Sequence, residues 1–314
     1  MATRPEIELV ADEALTALAA PGFCRRVCAA LEAAPRRLWL NLEGVKATDV
    51  TGLAALVQAV ARAGAQATPV SVLPSAAVWR ALLAAGLLEE LPLEGPGAGP
   101  AAPVAAPEPP AAPASVVART ARLLLRPPAW EELDLFERWA QEPLLDQMVG
   151  SPLLYLGRHL RVHDPEFVAR ALHDPAALTL LVVPAAEGAA PVGFVRLYGV
   201  NLLEGFAFLE TAVASVHGLR AGWGVEASRL ALAYAMDALG TRRVEAKVYA
   251  YNVLSVNALR RNGFRLEGRL REARTYADQR WDILVFAILE DEMRAQRARD
   301  GFPSLGLWEP DARP

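Results

Sequence analysis

Between residues 91 and 115 the chain reads LPLEGPGAGPAAPVAAPEPPAAPAS, and this stretch limits what the rest can fold into. It holds eight of the 24 prolines and three glycines. Proline removes the amide donor that helices and sheets use, and no apolar period runs through the segment. It reads as a semi-extended tether, not as a core element. The expectation is two domains, one over 1–92 and one over 116–295, joined by a linker at 93–115 and followed by a tail at 296–314. The length of 314 residues agrees with about two domains of roughly 150 residues each. No internal repeat crosses the linker.

Ahead of the linker, strands and helices alternate. EIELV, RRLWLNLEG and TPVSVL read as strands. PGFCRRVCAALEAA places Phe23, Val27, Ala30 and Leu31 at helical spacing. DVTGLAALVQAVARAG reads as a helix stopped by Gly64, and SAAVWRALLAAG as a helix capped by Ser75. Alternation of this kind implies a sheet covered by helices.

Behind the linker the order is mixed. ARLLLRPP is a strand, AWEELDLFERWAQ an amphipathic helix, and TLLVV, PVGFVRLYG and GFAFLETAVAS are three strands in a row. A helix follows Gly224, with Ala227, Leu230, Ala231, Tyr234, Ala235 and Ala238 on one stripe. Then come the strand RRVEAKVYA, the helix NVLSVNALRRNGF and the strands RLEGRLREARTY and RWDILVFAILEDE. The last is almost continuously apolar from Ile283 to Leu289, so a central place in the sheet is expected. Both halves are α/β in class, the first a small sheet-and-helix domain and the second a mixed central sheet flanked by helices.

LRAGWGVEA, residues 219–227, poses a question, because Gly222 and Gly224 stand where a helix starts and glycine carries an entropic cost there. One reading is a tight turn alone. The other is close approach of backbone N–H groups to an anion, usually a phosphate.

The net charge of −4 argues against a nucleic-acid footprint. No apolar run approaches the ~18 residues that a membrane-spanning helix needs. MATRPEIELV has no signal-peptide core, so a soluble, intracellular protein is expected. Enrichment in Ala, Pro and Arg is of the kind a GC-rich bacterial genome gives. Cys24 and Cys28 share a helix face with no matching Cys or His pair nearby, which favours a core role and no metal.

Three pieces of the second half, in order, carry a resemblance to the GNAT family of acetyl-coenzyme A-dependent N-acetyltransferases. They are RAGWGVEASRLALAYAMD, VYAYNVLSVNALRRNGFRLEG and LREARTYADQRWDILVFAIL, the last with Asp282. The resemblance covers about 120–293. It is closest to the branch of ribosomal-protein N-terminal and related amine acetyltransferases. It implies acetyl-coenzyme A as cofactor, with the pyrophosphate cradled by the backbone of Ala221, Gly222, Trp223, Gly224 and Val225. Leu219 stands where the family's turn usually opens on a basic or amide residue, and Arg220, in the place of a frequent glycine, is within reach of a phosphate. The family takes its oxyanion donor from a backbone N–H at the splayed end of the fourth strand, here Ala212, Val213 or Ala214. Asn252 matches the family's asparagine, which implies a place for it in the cofactor site. The tyrosine many members use to protonate the thiolate is replaced by Leu259, and in the ribosomal-protein branch that role falls to the serine matching Ser255. Helix capping is the other reading of Ser255.

Glu210 lies in the fourth strand, where relatives place a carboxylate that acts through water. Its apolar flanks favour a raised pKa and general-base work, against the alternative of an ion-paired edge residue. Glu226 suits the helix dipole of the first turn. His217 reads as a loop residue, and His159, His163 and His173 lack metal spacing.

Residues 5–92 resemble the STAS domain of anti-sigma-factor antagonists through Asp49-Val50-Thr51-Gly52-Leu53, the helix–strand–helix order and GLLEEL. The family's phosphorylated serine is Val50 here. The resemblance therefore implies a docking module for a protein partner, with Thr51 either a helix cap or a modification site.

The reading with most support is acetyl transfer to a primary amine, on a small molecule or a protein N-terminus. The alternative is a coenzyme A-binding regulatory or scaffold protein with little turnover, kept open by Leu219 and Leu259. Assembly of like copies into a homo-oligomer is left open too.

Overall fold

The computed structural model of the chain describes residues 5–94, 116–214, 218–219, 221–302 and 304–308. The chain divides into two compact units. One takes in residues 1–110, 173–176 and 306–312, and the other 111–172, 177–305 and 313–314.

In the first unit, strands β1 (Glu6–Val10), β3 (Arg37–Leu42) and β5 (Val70–Pro74) form a parallel sheet in the order β1-β3-β5. A second small pair joins β2 (Ala14–Leu15) to β4 (Ala47–Thr48). Alternation in β3 buries Leu38, Leu40 and Leu42 and turns Arg37, Trp39 and Asn41 to the opposite face. Helix α1 (Ala20–Glu32) buries Phe23, Cys24, Val27 and Leu31, while Cys28 is half-buried. Helix α2 (Val50–Ala65) starts at Asp49, whose carboxylate accepts from the amides of Thr51 at 2.9 Å, Gly52 at 3.0 Å and Ala17 at 2.8 Å. The cap is thus Asp49 and not Thr51, whose side chain is fully buried. Gly52 is needed for contact, since a Cβ there would lie 1.8 Å from the carbonyl oxygen of Leu15.

Ser75 caps helix α3 (Ala76–Ala84) by accepting from Val78 at 3.2 Å. Two sequence expectations are corrected here. Gly64 does not stop α2, which continues to Ala65, and it is Ala67 that takes the left-handed φ of 53°. The proline-rich segment does not open at residue 91. Leu91 is buried, Leu93 bridges Val72 in parallel, and Glu94 donates its amide to the Val72 carbonyl. Residues 95–115 lie outside the described residues.

The second unit holds an eight-stranded sheet in the order β12-β13-β11-β10-β9-β8-β7-β6. The strands are β6 (Ala118–Arg119), β7 (Leu123–Arg126), β8 (Leu178–Pro184), β9 (Gly193–Asn201) and β10 (Phe206–Val213). They continue as β11 (Arg243–Tyr249), β12 (Arg265–Tyr276) and β13 (Gln279–Leu289). Neighbours are antiparallel except β10 and β11, which are parallel. Strand β13 is next to the edge rather than central. Its apolar run is explained by burial of Leu284, Phe286, Ala287 and Ile288 beside β11.

Helices α4 (Asp134–Ala140), α5 (Pro143–Met148), α6 (Pro152–His159) and α7 (Pro165–Leu172) link β7 to β8. Phe136, Trp139, Leu153 and Phe167 of this group pack on Leu181, Phe194 and Ala212 of the sheet. Helix α8 (Trp223–Asp237) is joined to the other face of β10 by the hydroxyls of Thr211 and Ser228, 2.8 Å apart. All six residues of its expected stripe are buried. Helices α9 (Val253–Arg261) and α10 (Glu290–Asp300) complete the unit, a mixed sheet with helices on both faces.

Candidate active site

Strands β10 and β11 pair only over Phe206–Phe208 and Arg243–Glu245. Beyond Phe208 the two parallel strands part, while β10 stays paired to β9 as far as Val213 and β11 stays paired to β13 as far as Tyr249. Glu210, Thr211, Ala212 and Val213 therefore border a gap in the sheet.

Direction within β10 follows from the period of two. Ala214 donates its amide to Val192 on the β9 side at 2.8 Å. Ala212 shares that side, and a Cβ on Gly193 of β9 would meet the Ala212 carbonyl oxygen at 2.0 Å. The alternation turns the amide of Val213 the other way, toward the gap. Side chains alternate as well, so Thr211 faces α8 and Glu210 faces the α4–α7 helices.

Glu210 is paired in register with Arg196 and is nine-tenths buried. Burial raises its pKa above the ordinary carboxylate value, and Ser151 and the Arg196 charge oppose the shift in part. Ser151 lies close by without a bond of ordinary geometry. Neither carboxylate oxygen has a hydrogen-bond partner among the described residues. Tyr198 is pushed up to about 12, first by burial and then by the Glu210 charge. Arg196 and Tyr198 carry no sequence signal, because only the strand register brings them to Glu210.

The glycine turn lies against the end of β10. Gly222 takes φ +78°, a left-handed conformation suited to glycine, and it begins α8 without a side-chain cap. A Cβ at Gly222 would meet nothing within 4 Å among the described residues. One at Gly224 would lie 3.4 Å from Val213 Cγ2, which seats the turn on the end of β10. Gly222 donates to Leu219 at 3.2 Å and Val225 to Gly222 at 3.1 Å, so these two amides bond inside the turn. Asn262 of the NGF motif donates Nδ2 to the Val225 carbonyl at 3.2 Å, tying the start of α8 to the end of α9. Arg220 and His217 lie outside the described residues.

Asn252 is buried and is the N-cap of α9. Its Oδ1 accepts from the Ser255 amide at 3.0 Å, and its Nδ2 donates to Met148 O and to Ser255 Oγ, both at 2.8 Å. The Ser255 hydroxyl thus accepts from Asn252, and its own hydrogen remains to be donated. The structure also assembles an aromatic wall that sequence reading missed. Tyr251 stacks on Tyr249 and Tyr276 with centroids 5.4 and 4.9 Å away, Trp281 meets it edge-on, and Arg274 lies over Tyr249 at 4.9 Å. Tyr251 also bonds Gln147 O at 2.6 Å, and Gly150 is tight against the Tyr249 hydroxyl, so this wall adjoins the 147–151 segment that reaches Glu210.

The remaining histidines do not converge. His163 bonds Asp134 at 3.1 Å, His159 bonds Tyr155 O at 2.8 Å, and burial lowers the pKa of His173.

Residues 122–265 match the family model described as Acetyltransferase (GNAT) domain. No curated protein matches the chain. Among solved structures, a spermidine N-acetyltransferase from Vibrio cholerae in complex with CoA and spermine is 19% identical. The match covers 56% of this chain and 99% of that one, with a TM-score of 0.48. Mycobacterium smegmatis RimJ in complex with CoA-disulfide is 23% identical, over 57% of this chain and 89% of that chain, with a TM-score of 0.45. A putative acetyltransferase is 22% identical over 58% of this chain and 93% of that chain, at a TM-score of 0.44. Such a domain uses acetyl-coenzyme A, and the glycine turn at the start of α8 fits a pyrophosphate. Residues 122–265 are thus similar to an acetyltransferase (GNAT) domain.

Proposed function

We propose that residues 116–295 transfer an acetyl group from acetyl-coenzyme A to a primary amine. The observation that carries this is Glu210, a buried carboxylate with no hydrogen-bond partner among the described residues, set beside the gap between β10 and β11. A carboxylate of raised pKa in that place is suited to take a proton from an incoming ammonium group, directly or through one water. Coenzyme A supplies the acetyl group as an activated thioester. The Val213 amide, turned toward the gap, serves as donor to the acyl oxygen as charge grows on it. Ser255 offers its hydroxyl as a hydrogen-bond donor to the departing thiolate, which takes its proton from solvent. Leu259 leaves no tyrosine for that step, and a thiolate departs with little help, so the part of Ser255 is small. Ala221, Trp223 and Gly224 form the anion cradle, while Gly222 and Val225 shape it.

The first unit is read as a STAS-like module that docks a protein partner. Modification of Thr51 is disfavoured, since its side chain is fully buried and would have to leave α2 to be reached.

Glu210→Gln tests the assignment. It is expected to lower kcat by about 10²–10⁴-fold and to remove the acidic limb of the pH–rate profile, with acetyl-coenzyme A affinity unchanged. Ser255→Ala is expected to lose less. Equal rates for wild type and Glu210→Gln at saturating acetyl-coenzyme A would take the carboxylate out of the mechanism.

A further inference from the structure

The glycine turn lacks the basic or amide residue that the sequence comparison led one to expect at Leu219. A cation reaches it from elsewhere. Arg122 stands in the tight turn between β6 and β7, where Thr120 Oγ1 accepts the amides of Arg122 and Leu123, each at 3.1 Å. The Arg122 carbonyl is held in turn by the amide of Ala185 at 2.8 Å. From this rigid base the side chain crosses to a segment 99 residues away and donates Nη2 to the carbonyl oxygen of Ala221 at 2.6 Å. Its Nε lies 3.5 Å from Glu226 Oε2 on the first turn of α8. Thr120 donates to the other oxygen of the same carboxylate.

These contacts do two things at the turn. The Ala221 carbonyl, a negative end at the mouth of the helix, is held on a guanidinium. The Glu226 carboxylate, which would repel a phosphate four residues into the turn, is neutralised. The Arg122 side chain keeps 54% of its surface exposed, and Nη1 has no partner among the described residues. Guanidinium is suited to phosphate because its N–H groups form a planar fork.

We propose that Arg122 is a cation of the pyrophosphate site, fixing the turn through Ala221 and offering Nη1 to the anion. This rests on the reading of the glycine turn as a coenzyme A site.

The test is calorimetric titration of the full chain with acetyl-coenzyme A and with S-acetylpantetheine, which has the same reacting end and no pyrophosphate. Wild type, Arg122→Gln and Arg122→Lys are compared after their melting temperatures are recorded. Arg122→Gln is expected to weaken acetyl-coenzyme A binding by roughly ten- to a hundredfold and to leave S-acetylpantetheine binding unchanged. Arg122→Lys, which keeps the charge and loses the fork, should fall between the two. If Arg122→Gln does not fold, the Arg122→Lys loss on acetyl-coenzyme A alone decides. Wild-type affinity of Arg122→Gln for acetyl-coenzyme A would overturn the inference and leave the coenzyme A site standing. Equal losses on both ligands would also overturn it, since they would mean a structural role alone. Failure of the wild type to bind acetyl-coenzyme A would remove the site itself.

Discussion

At the scale of single residues, Glu210 ties stability to the proposed chemistry. Its folded pKa is raised by burial, so the unfolded chain gives up the proton at lower pH than the folded one. The stability it contributes is therefore full below the ordinary carboxylate range and is lost as pH rises through the raised folded value. Glu210→Gln, which is always neutral, should gain melting temperature relative to wild type at about pH 8 and show little gain at about pH 5. Thermal melts at the two pH values check this, and a gain that is the same at both would show that the buried charge is not its source. Glycine at contact positions gives a second outcome at this scale. Gly52→Ala drives a Cβ into the Leu15 backbone at 1.8 Å, and a loss of about 1–3 kcal/mol or more is expected in denaturant melts. Gly222→Ala meets no atom of the described residues within 4 Å and suffers the left-handed backbone strain, about 1 kcal/mol. Gly222→Val and Gly224→Val place branched side chains at the mouth of the turn and should abolish acetyl-coenzyme A binding while the fold persists.

Among the elements, those with local signals were readable and those set by distant partners were not. The six-residue stripe of α8 is an amphipathic period and was met in full by burial. Asn252 and Ser75 announce helix starts by residue type. Asp49 was missed as the cap of α2, because the notable feature beside it was a family motif centred on its neighbours. The place of β13 was misjudged because an apolar run records burial of a strand, not its rank in a sheet. Arg196, Tyr198 and Arg122 were silent for one reason: strand register and a contact 99 residues apart bring them to the site. In the tail expected at 296–314, Leu305 and Leu307 are buried. Trp308, counted with the first unit, donates its indole N–H to Gln58 Oε1 at 2.6 Å, and Arg62 lies over its ring at 4.5 Å. Trp308→Ala should therefore destabilise the first unit by about 1–3 kcal/mol, read from a melt that reports on Trp39 or Trp79. An unchanged melt would show that the contact contributes nothing.

For the whole molecule, a domain similar to the GNAT acetyltransferases follows a parallel sheet-and-helix unit that we propose as a docking module. Three motif pieces in order made the second domain visible from sequence, since each encodes a backbone requirement: a left-handed turn, a helix cap, a closing hairpin. The chemistry was visible only in part, because a general base is defined by its burial and by what fails to bond it. The acceptor is stated only as a primary amine. The most direct measurement of the central claim is release of coenzyme A by the purified chain from acetyl-coenzyme A, with and without a panel of small-molecule amines and peptides with free N-termini. The account predicts amine-dependent release that Glu210→Gln lowers by about 10²–10⁴-fold while acetyl-coenzyme A still binds. Binding of acetyl-coenzyme A with no amine-dependent release from any member of the panel would contradict it and favour a coenzyme A-binding scaffold.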